Sequence, residues 1–348
     1  MITCKTDTAV VILSYNGKPY HRDFLPKILE EGKNKYDTVI IDNASTDDTA
    51  EFVSHSFPDV HLIKLPKNLG FTGGYMEGLK QINTKYVVLL SADFEVSENW
   101  FAPLHQLMEK DSSIAACQPK IRYQKQKEWF EYAGAAGGFI DSLAYPFCRG
   151  RIFFTLEQDL GQYDDNIECF WASGGCFFTR KEVFDRFGGF DSSFFAHMEE
   201  IDLCWRMKNA GYKIMACGKS EVYHVGGSVI SYGSPQKIFR NYRNGLVMMI
   251  KNMPLRQLIW AFPWRYFLDI IAAYKALFTG NPREFAAIAK AHISFLFGIP
   301  RWWMKRQGCL KTSASVPNKK GIYRGSIVKE YFLSGKKKFR SLNSEDFY

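Results

Sequence analysis

Several features that mark well-known protein classes are missing from this sequence. The eight cysteines form no CxxC pair and follow no regular spacing, which argues against a zinc site and a disulfide framework and favours reduced thiols. The first residues lack the basic-then-apolar pattern of a secretion signal. No helix-turn-helix or other nucleic-acid signature is present. We therefore expect a cytoplasmic protein without a nucleic-acid partner.

The composition is that of a folded protein with a basic end. Hydrophobic residues make up 46% and aromatic residues 16% of the chain, which suits one large domain or a domain with an appended module. Residues 301–348 carry 12 Lys or Arg and 3 Asp or Glu, so they account for the whole formal charge of +9. A basic end suits anionic partners, and here acidic lipid headgroups are the expected ones.

The first third of the sequence alternates buried strands with helical segments. The predicted strands are Ala9–Ser14, Thr38–Asp42, Val60–Leu65 and Tyr86–Leu90. This alternation predicts an α/β fold with a mainly parallel, Rossmann-like central sheet and helices on both faces. Ligands of such sheets bind at the carboxyl ends of the strands.

Acidic residues stand at two of these strand ends. Asp93 and Glu95 directly follow the fourth strand, and Asp42 ends the second. Carboxylates suit Mg²⁺ or Mn²⁺, and such an ion commonly bridges protein carboxylates to a diphosphate. His224, at the end of a short later strand, is a candidate for a third contact with the ion or diphosphate. The alternatives are that Asp93 and Glu95 are turn residues and that Asp42 is a helix N-cap.

The loops after the strands hold candidates for nucleotide binding. Tyr15 could stack on a flat base, and Asp42 could accept a hydrogen bond from a base imide or a ribose hydroxyl. The segment from Asn68 to Gly74 is rich in glycine, which allows backbone amides to approach a ligand closely, although it is no P-loop. The nucleotide-binding candidates are Ser14, Tyr15, Asn16, Asp42, Ser45, Asn68, Gly70 and Gly73.

Three acids cluster at the start of a predicted helix, where the helix dipole favours negative charge. Glu199 and Asp202 would share a face with Arg206, whereas Glu200 points elsewhere and is free to act as a general base. Glu200 is therefore the first candidate for the base, and Asp202 the second. The alternative is that all three acids only complement the dipole.

The region from Phe239 to about Phe297 is helical, apolar and aromatic. Its most apolar stretch, residues 255–278, is interrupted by charges and a proline, so no uncharged run approaches the ~20 residues of a spanning helix. Followed by the Arg301–Arg306 segment, these helices are typical of the membrane interface. The alternative is an ordinary helical subdomain. We expect a catalytic domain over residues 1–235 and a helical, basic, membrane-associated region over 236–348.

Taken together, five ordered motifs resemble the family 2 glycosyltransferases of the GT-A fold, most closely a bacterial rhamnosyltransferase-like branch. The motifs lie in Val10–Asn16, Ile41–Asp47, Asn68–Phe71, Leu89–Asp93 and a later run from Ser173 through Gly188–Asp191 and Glu199–Leu203 to His224. The resemblance covers roughly residues 9–230.

The resemblance implies inverting transfer of a sugar from a nucleoside diphosphate-sugar. In such enzymes the residues matching Tyr15 and Asp42 hold the nucleoside, the one matching Asp93 holds Mg²⁺ or Mn²⁺, and the acid pair matching Glu199–Glu200 supplies the base. Two departures stand out. The metal motif, usually Asp-x-Asp, ends here in Glu95, and the catalytic pair, commonly Glu-Asp, here ends in Glu200.

We therefore expect a peripheral membrane hexosyltransferase at the inner face of the cytoplasmic membrane. Its donor would be a dTDP- or UDP-sugar, with dTDP-L-rhamnose one candidate, and its acceptor a hydroxyl of a lipid-linked or cell-surface polysaccharide. Trp171, Gly174 and Gly175 are the candidates for contact with the sugar or acceptor. The alternatives are a non-catalytic sugar- or nucleotide-binding scaffold and a sugar nucleotidyltransferase.

Overall fold

The computed structural model describes residues 1–132, 134–226 and 234–348. The strands are β1 (Ile2–Thr3), β2 (Thr8–Ser14), β3 (Asp37–Asp42), β4 (His61–Lys64), β5 (Ile82–Asn83), β6 (Tyr86–Ser91), β7 (Phe94–Val96), β8 (Ile114–Tyr123), β9 (Gln126–Phe130), β10 (Gly138–Asp141), β11 (Pro146–Cys148), β12 (Arg151–Ile152), β13 (Thr155–Leu156), β14 (Asn166–Cys169), β15 (Cys176–Arg180), β16 (Lys213–His224) and β17 (Ile322–Tyr323).

The helices alternate with these strands and then dominate the second half. They are α1 (Lys18–Gly32), α2 (Thr49–Ser56), α3 (Gly70–Leu79), α4 (Phe101–Lys110), α5 (Lys181–Arg186), α6 (Glu199–Asn209), α7 (Pro235–Asn252), α8 (Leu255–Phe278), α9 (Pro282–Phe297), α10 (Ile299–Lys311) and α11 (Ile327–Phe332). Short 3₁₀ turns cover Ser192–Phe194, Phe339–Ser341 and Ser344–Asp346.

The central sheet is mixed, and the strands from the first part of the chain form a parallel half. Its strand order is β14-β16-β8-β15-β6-β2-β3-β4. Strands β6, β2, β3 and β4 run parallel because helices connect them, as predicted, whereas β15 runs antiparallel to both β6 and β8. The α/β fold is confirmed, and the sheet contains more antiparallel pairing than the alternation alone predicted.

Side chains of the parallel strands are buried on both faces of the sheet. In β2, Ala9 and Val11 pack on the side of Tyr75 from α3. Val10 and Ile12 pack on the opposite side, which also holds Leu25 of α1. Burial on both faces explains the nearly continuous apolar runs of these strands. It also leaves their carboxyl ends as the accessible edge of the sheet.

The carboxyl-terminal region packs against the rest of the fold and is not helical throughout. Helix α7 packs on α6, α9 and α10, and α9 packs on α8. After α10 the chain contributes β17, which pairs in parallel with β10, and its Phe339 and Phe347 rings pack on Phe139. The expected carboxyl-terminal helices are present, and the segment after α10 combines the short helix α11 with β17 and aromatic side chains that pack on the core.

The predicted domain division at residue 235 stays a prediction. Helix α7 lies just beyond it and nevertheless contacts the catalytic side of the molecule, as described below. Among the described residues, none of the helices combines the length and the apolar character that crossing a bilayer requires.

Candidate active site

A cavity of about 650 Å³ opens at the carboxyl ends of β2 and β6. Its wall is built from the loops after these two strands, the start of α6 and the first turns of α7. The predicted site residues that line it are Ser14, Tyr15, Asn68, Gly70, Asp93, Trp171, Gly174, Gly175, Glu199, Glu200 and His224. The structure thus brings together residues that lie up to 210 positions apart in the sequence. Six other predicted residues, namely Asn16, Asp42, Ser45, Gly73, Glu95 and Asp202, are not among the residues that line it.

Three hydrogen bonds made by side chains shape the nucleotide side of the cavity. The Ser14 hydroxyl lies 2.7 Å from Nε2 of His21, and burial lowers the pKa of His21 to about 4, so this imidazole is neutral. The Asn43 side chain accepts a hydrogen bond from the Leu69 amide and donates one to Asn68. These contacts hold the loops after β2, β3 and β4 in fixed relation to each other.

Hydrogen bonds link Asp42, Ser45 and Asn16, which do not line the cavity. The Asp42 carboxylate accepts hydrogen bonds from the backbone amide and the hydroxyl of Ser45. The Ser45 hydroxyl in turn accepts from the Asn16 amide at 2.9 Å. In this arrangement Asp42 orders the loop that follows β3. It is not a helix N-cap, the alternative considered for it, because α2 begins at Thr49 with Asp48 at its N-cap. Its predicted contact with a nucleoside stays a prediction.

The two glycines predicted to approach the nucleotide differ in their surroundings. Gly70 has a φ of +71°, and a Cβ there would lie 2.7 Å from the Phe195 ring, so both its conformation and its packing require glycine. Gly73 lies inside α3, where a Cβ would come within 2.8 Å of the Leu69 side chain. Gly73 therefore has a packing role that needs no ligand.

Asp93 forms the acidic side of the cavity together with His224. Its carboxylate lies 3.2 Å from Nε2 of His224, and Nδ1 of the same ring lies 3.0 Å from the Glu131 carboxylate. Burial disfavours the charged imidazole, but the hydrogen bonds to Asp93 and Glu131 outweigh it and raise the pKa of His224 to about 10. In its protonated form the His224 ring therefore donates one N–H to each of the two carboxylates.

The donor set around Asp93 fits a hard divalent cation. Asp93 itself is nearly buried and lines the cavity where the strand ends. Its carboxylate, with an imidazole and a second carboxylate close by, offers the oxygen and nitrogen ligands that Mg²⁺ and Mn²⁺ accept. An imidazole that ligates a metal must be neutral, so His224 could do so only after losing its proton and its hydrogen bond to Asp93.

Glu95 does not fit its predicted role as a metal ligand. It belongs to β7, pairs with Tyr223 of β16, and its carboxylate forms an ion pair with Lys127 and accepts a hydrogen bond from Gln124. Successive side chains of a strand point to opposite faces. Phe94 faces the cavity, so Glu95, the next residue, faces away from it.

Another group of possible ligands lies at the surface. Within the described ranges, Asp7, His105 and Glu109 are the three ionisable side chains of metal-binding type whose atoms lie within 4.8 Å of one another. Asp7 and Glu109 are exposed, and Glu109 already forms an ion pair with Lys85. None of the three lines the cavity.

Glu199 and Glu200 begin α6 after a strained loop. His197 and Met198, just before them, have φ values of +70° and +73°, which are uncommon for residues with side chains. One carboxylate oxygen of each glutamate is buried without a hydrogen-bond partner among the described residues. Burial raises the pKa of Glu200 to about 7. It also raises that of Glu199 well above its usual range, with a further contribution from the negative charge of Glu200.

Asp202 is part of a buried ion-pair network and does not face the cavity. Its carboxylate is fully buried, 2.9 Å from both the Arg206 guanidinium and the Lys251 ammonium, and it also accepts a hydrogen bond from Asn252. These cations keep the pKa of Asp202 below its usual value despite the burial. Asp202 thus fastens α6 to α7, and we no longer consider it a candidate for the base.

The sugar-binding candidates form the floor of the cavity beside Glu200. The Trp171 indole donates to the Phe139 carbonyl at 3.0 Å, which fixes the ring. A Cβ on Gly175 would come within 2.7 Å of the Phe94 ring. A Cβ on Gly174 would lie 3.6 Å from Cβ of Glu200, an ordinary contact. Gly174 therefore lies beside the Glu200 side chain.

Several residues that line the cavity were missed by the sequence analysis. Three of them are cations, namely Arg151 from β12 and Lys237 and Arg240 from the first turns of α7. The Arg240 guanidinium lies 4.5 Å from the centre of the Phe195 ring, and Arg151 lies 4.3 Å from that of Tyr132. His197 also lines the cavity. No local pattern identified these residues, because they come from segments read as loop or as interfacial helix.

Comparison with known proteins identifies the family. Residues 9–188, more than half of the chain, match the family described as "Glycosyl transferase family 2". The chain is 24% identical over 233 residues to the low-salt glycan biosynthesis hexosyltransferase Agl10 of Haloferax volcanii, covering 64% of this chain and 70% of that protein. It is 22% identical over 232 residues to the N-acetylglucosaminyl-diphospho-decaprenol L-rhamnosyltransferase of Mycobacterium tuberculosis, covering 62% and 75%.

Solved structures show the same fold. The mannosyltransferase PcManGT of Pyrobaculum calidifontis, in complex with GDP-Man and Mn²⁺, superposes with a TM-score of 0.51 at 17% identity over 88% of this chain and 85% of that one. GalNAc-T7 with UDP, GalNAc and Mn²⁺ superposes with a TM-score of 0.56 at 18% identity. The match covers 70% of this chain and 47% of the GalNAc-T7 chain, so this chain spans about half the length of GalNAc-T7. With its sequence motifs and its GT-A architecture in agreement, this chain belongs to glycosyl transferase family 2.

Proposed function

We propose that this protein transfers a sugar from a nucleoside diphosphate-sugar to a hydroxyl group of a lipid-linked or cell-surface saccharide, with inversion at the anomeric carbon. The observation that carries the proposal is the shared cavity of Asp93 and Glu200. One carboxylate suits a cation at a diphosphate, and the other has the raised pKa and the unpaired oxygen of a general base.

The donor would lie along the carboxyl ends of the parallel strands. Tyr15, which is exposed at the cavity wall, would stack on the base, while Asn68 and Gly70 would border the nucleotide. Asp93 would hold Mg²⁺ or Mn²⁺, with His224 as the second candidate ligand. When bound, such an ion neutralises negative charge on the leaving diphosphate. Arg240 and Lys237 lie on the same cavity wall and would add positive charge near that group.

Glu200 would accept the proton of the acceptor hydroxyl. Glu200 and Gly174 both line the cavity, so an acceptor that enters it would reach the carboxylate. The hydroxyl oxygen then attacks the anomeric carbon from the side opposite to the departing diphosphate, which inverts the configuration. The fixed loop before α6 holds Glu200 in place, because Asn244 of α7 donates hydrogen bonds to the carbonyl groups of Phe194, Ala196 and His197.

The donor and acceptor classes rest on the relatives. A dTDP- or UDP-sugar is the proposed donor, with dTDP-L-rhamnose as one candidate, since a relative is an L-rhamnosyltransferase and a structural neighbour holds UDP. The name of the same relative contains a diphospho-decaprenol acceptor, which supports a lipid-linked acceptor here. Such an acceptor would require the protein to work at the inner face of the cytoplasmic membrane.

A screen of donors tests the proposed reaction. We expect release of nucleoside diphosphate from one of the UDP- or dTDP-sugars when Mn²⁺ or Mg²⁺ is present, and little release in EDTA. GDP-sugars serve as the matched negative set. Titration calorimetry with the same nucleotides would show binding independently. Binding without turnover on any donor, with or without a saccharide acceptor, would favour the non-catalytic scaffold instead.

The pH dependence of transfer provides a second prediction. Because Glu200 must be deprotonated to accept a proton and burial raises its pKa to about 7, kcat/KM should rise with pH and reach half of its maximum near pH 7. Initial rates between pH 5.5 and 8.5 would measure this. Tyr15→Phe, which leaves the carboxyl and imidazole groups of the cavity unchanged, should show the same midpoint. A rate that falls across this range would contradict the assignment of Glu200 as the base.

A further inference from the structure

Helix α8 has its polar and apolar sides reversed with respect to an ordinary surface helix. Arg265 and Asp269 lie on its inner face, where they form a buried ion pair at 3.1 Å and the Asp269 carboxylate is fully buried. Large apolar and aromatic side chains occupy the outer face, and Trp264 and Phe278 are 59% and 84% exposed. A helix that faces water shows the opposite arrangement.

The outer face of α8 forms one continuous stripe. Its members recur at helical spacing of three or four residues, namely Trp260, Trp264, Phe267, Ile271, Tyr274 and Phe278, and all are exposed. On the neighbouring helices, Phe297 of α9 and Met304 of α10 are also largely exposed. Contiguous apolar surface of this size on a folded protein indicates a site of contact with a partner.

The orientation of α8 is fixed by specific contacts. The Arg265 guanidinium stacks on Tyr145 at 3.7 Å and donates to the Leu143 and Ala144 carbonyl groups. The Tyr145 hydroxyl donates to Asp269 at 2.7 Å. Rotating the stripe inward would break this network and leave the charges of Arg265 and Asp269 without each other as partners. The apolar face is therefore held outward by the fold.

The charges on this side of the molecule are positive. Arg256 and Lys275 are exposed near the two ends of α8, four residues before Trp260 and one after Tyr274, so they flank the stripe. Between residues 255 and 311 the acidic residues are Asp269, which is buried, and Glu284. Aromatic rings flanked by Lys and Arg are typical of helices that lie in the headgroup region of a bilayer.

We propose that the outer face of α8, continued by α9 and α10, docks on the surface of a bilayer that contains anionic phospholipids. The charge pattern favours this partner over a second copy of the chain. Pairing two such faces would bring together surfaces that are both basic, whereas anionic headgroups complement Arg256 and Lys275. The rings would then lie at the depth of the headgroups, without a helix crossing the membrane.

This inference rests on the proposed function and makes it more specific. Helix α9 packs on both α8 and α7, and Lys237 and Arg240 of α7 line the catalytic cavity. A protein docked through α8 would thus keep its cavity within a few helix layers of the lipid surface. A saccharide attached to a lipid diphosphate could then reach Glu200 while its lipid stays in the bilayer.

Cosedimentation with vesicles tests the docking surface. The purified full-length protein should bind vesicles of phosphatidylglycerol and phosphatidylcholine, and bind pure phosphatidylcholine more weakly. The double variant Phe267→Glu with Ile271→Glu should lose at least tenfold in affinity. Replacing both Arg256 and Lys275 with Gln should lower affinity about thirtyfold for the anionic vesicles only. The control, Leu160→Glu, changes an exposed apolar residue in the segment between β13 and β14 and should leave binding unchanged.

Two outcomes would overturn this inference. One is a protein that stays in the supernatant at every vesicle composition. The other is a stable dimer in size-exclusion chromatography with light scattering that the Phe267→Glu and Ile271→Glu variant dissociates, which would assign the face to a second copy. Release of nucleoside diphosphate without vesicles is measured in parallel. If nucleoside diphosphate is still released but the protein does not bind vesicles, only the docking surface is refuted. If the protein binds vesicles but releases no nucleoside diphosphate, the proposed reaction is refuted.

Discussion

Replacing Glu200 with Gln should lower kcat between about 100-fold and 10,000-fold, the range that loss of a general base produces. Gln has nearly the same shape as Glu but cannot accept the proton of the acceptor hydroxyl. KM for the donor should change little, because Glu200 is proposed to contact the acceptor side. Initial rates at saturating donor, with acceptor varied, would measure the effect.

The same variant offers an independent check of folding. Because burial raises the pKa of Glu200 to about 7, the protonated form favours the folded state, and this stability is lost as the pH rises through 7. Glu200→Gln should therefore unfold at a higher temperature than the wild type at pH 8. Glu199→Gln is the matched neighbour and should cost less activity. A larger kcat loss in Glu199→Gln would transfer the role of base to Glu199.

Replacing Asp93 with Asn should reduce metal-dependent release of nucleoside diphosphate by at least about 100-fold. The amide cannot supply the negative charge that holds a divalent ion, and such an ion contributes several kcal/mol to stabilising charge on a leaving diphosphate. Excess Mn²⁺ should restore the rate only in part. Titration of Mn²⁺ in the presence of the nucleotide would report the loss of affinity directly.

Glu95 provides the matched control for Asp93. The residues are two positions apart and both are acidic, but Glu95 pairs with Lys127 and faces away from the cavity. Glu95→Gln should therefore keep nearly full activity and the same dependence on Mn²⁺. Equal losses in the two variants would show that both carboxylates hold the ion and that the orientation of β7 differs when donor is bound.

The parallel half of the sheet was predictable because its strands are buried on both faces. Strands β2 and β6 consist almost entirely of apolar residues, and β3 and β4 have apolar residues at their centres. Each of the four begins and ends within one residue of its predicted position. No strand was predicted at β8, which contains the charged residues Lys120 and Arg122. In the structure the Lys120 ammonium is buried and pairs with Asp159 and Asp164. Only tertiary partners make such a charge compatible with a central strand.

The candidate site was predictable to the extent that it lies at strand ends and at the start of α6. Asp93 and Glu200 follow from that placement, since strand ends of a parallel sheet meet at one edge. The prediction of Glu95 as a metal ligand did not take into account that the short strand β7 points alternate side chains to opposite sides. Arg151 and Arg240 were missed because they reach the cavity from distant segments. The sequence also could not predict which face of α8 is buried, because this depends on the contact between Tyr145 and Arg265.

The central claim is that one cavity holds both a cation-bound diphosphate at Asp93 and an acceptor hydroxyl at Glu200. Crystals grown with Mn²⁺ and a nucleoside diphosphate, measured for anomalous scattering of manganese, test it most directly. The account predicts an anomalous peak bound to the Asp93 carboxylate, with the diphosphate beside it and the Glu200 carboxylate facing the same space. A manganese ion and nucleotide bound elsewhere, for example at Asp7, His105 and Glu109, with none at Asp93, would contradict it.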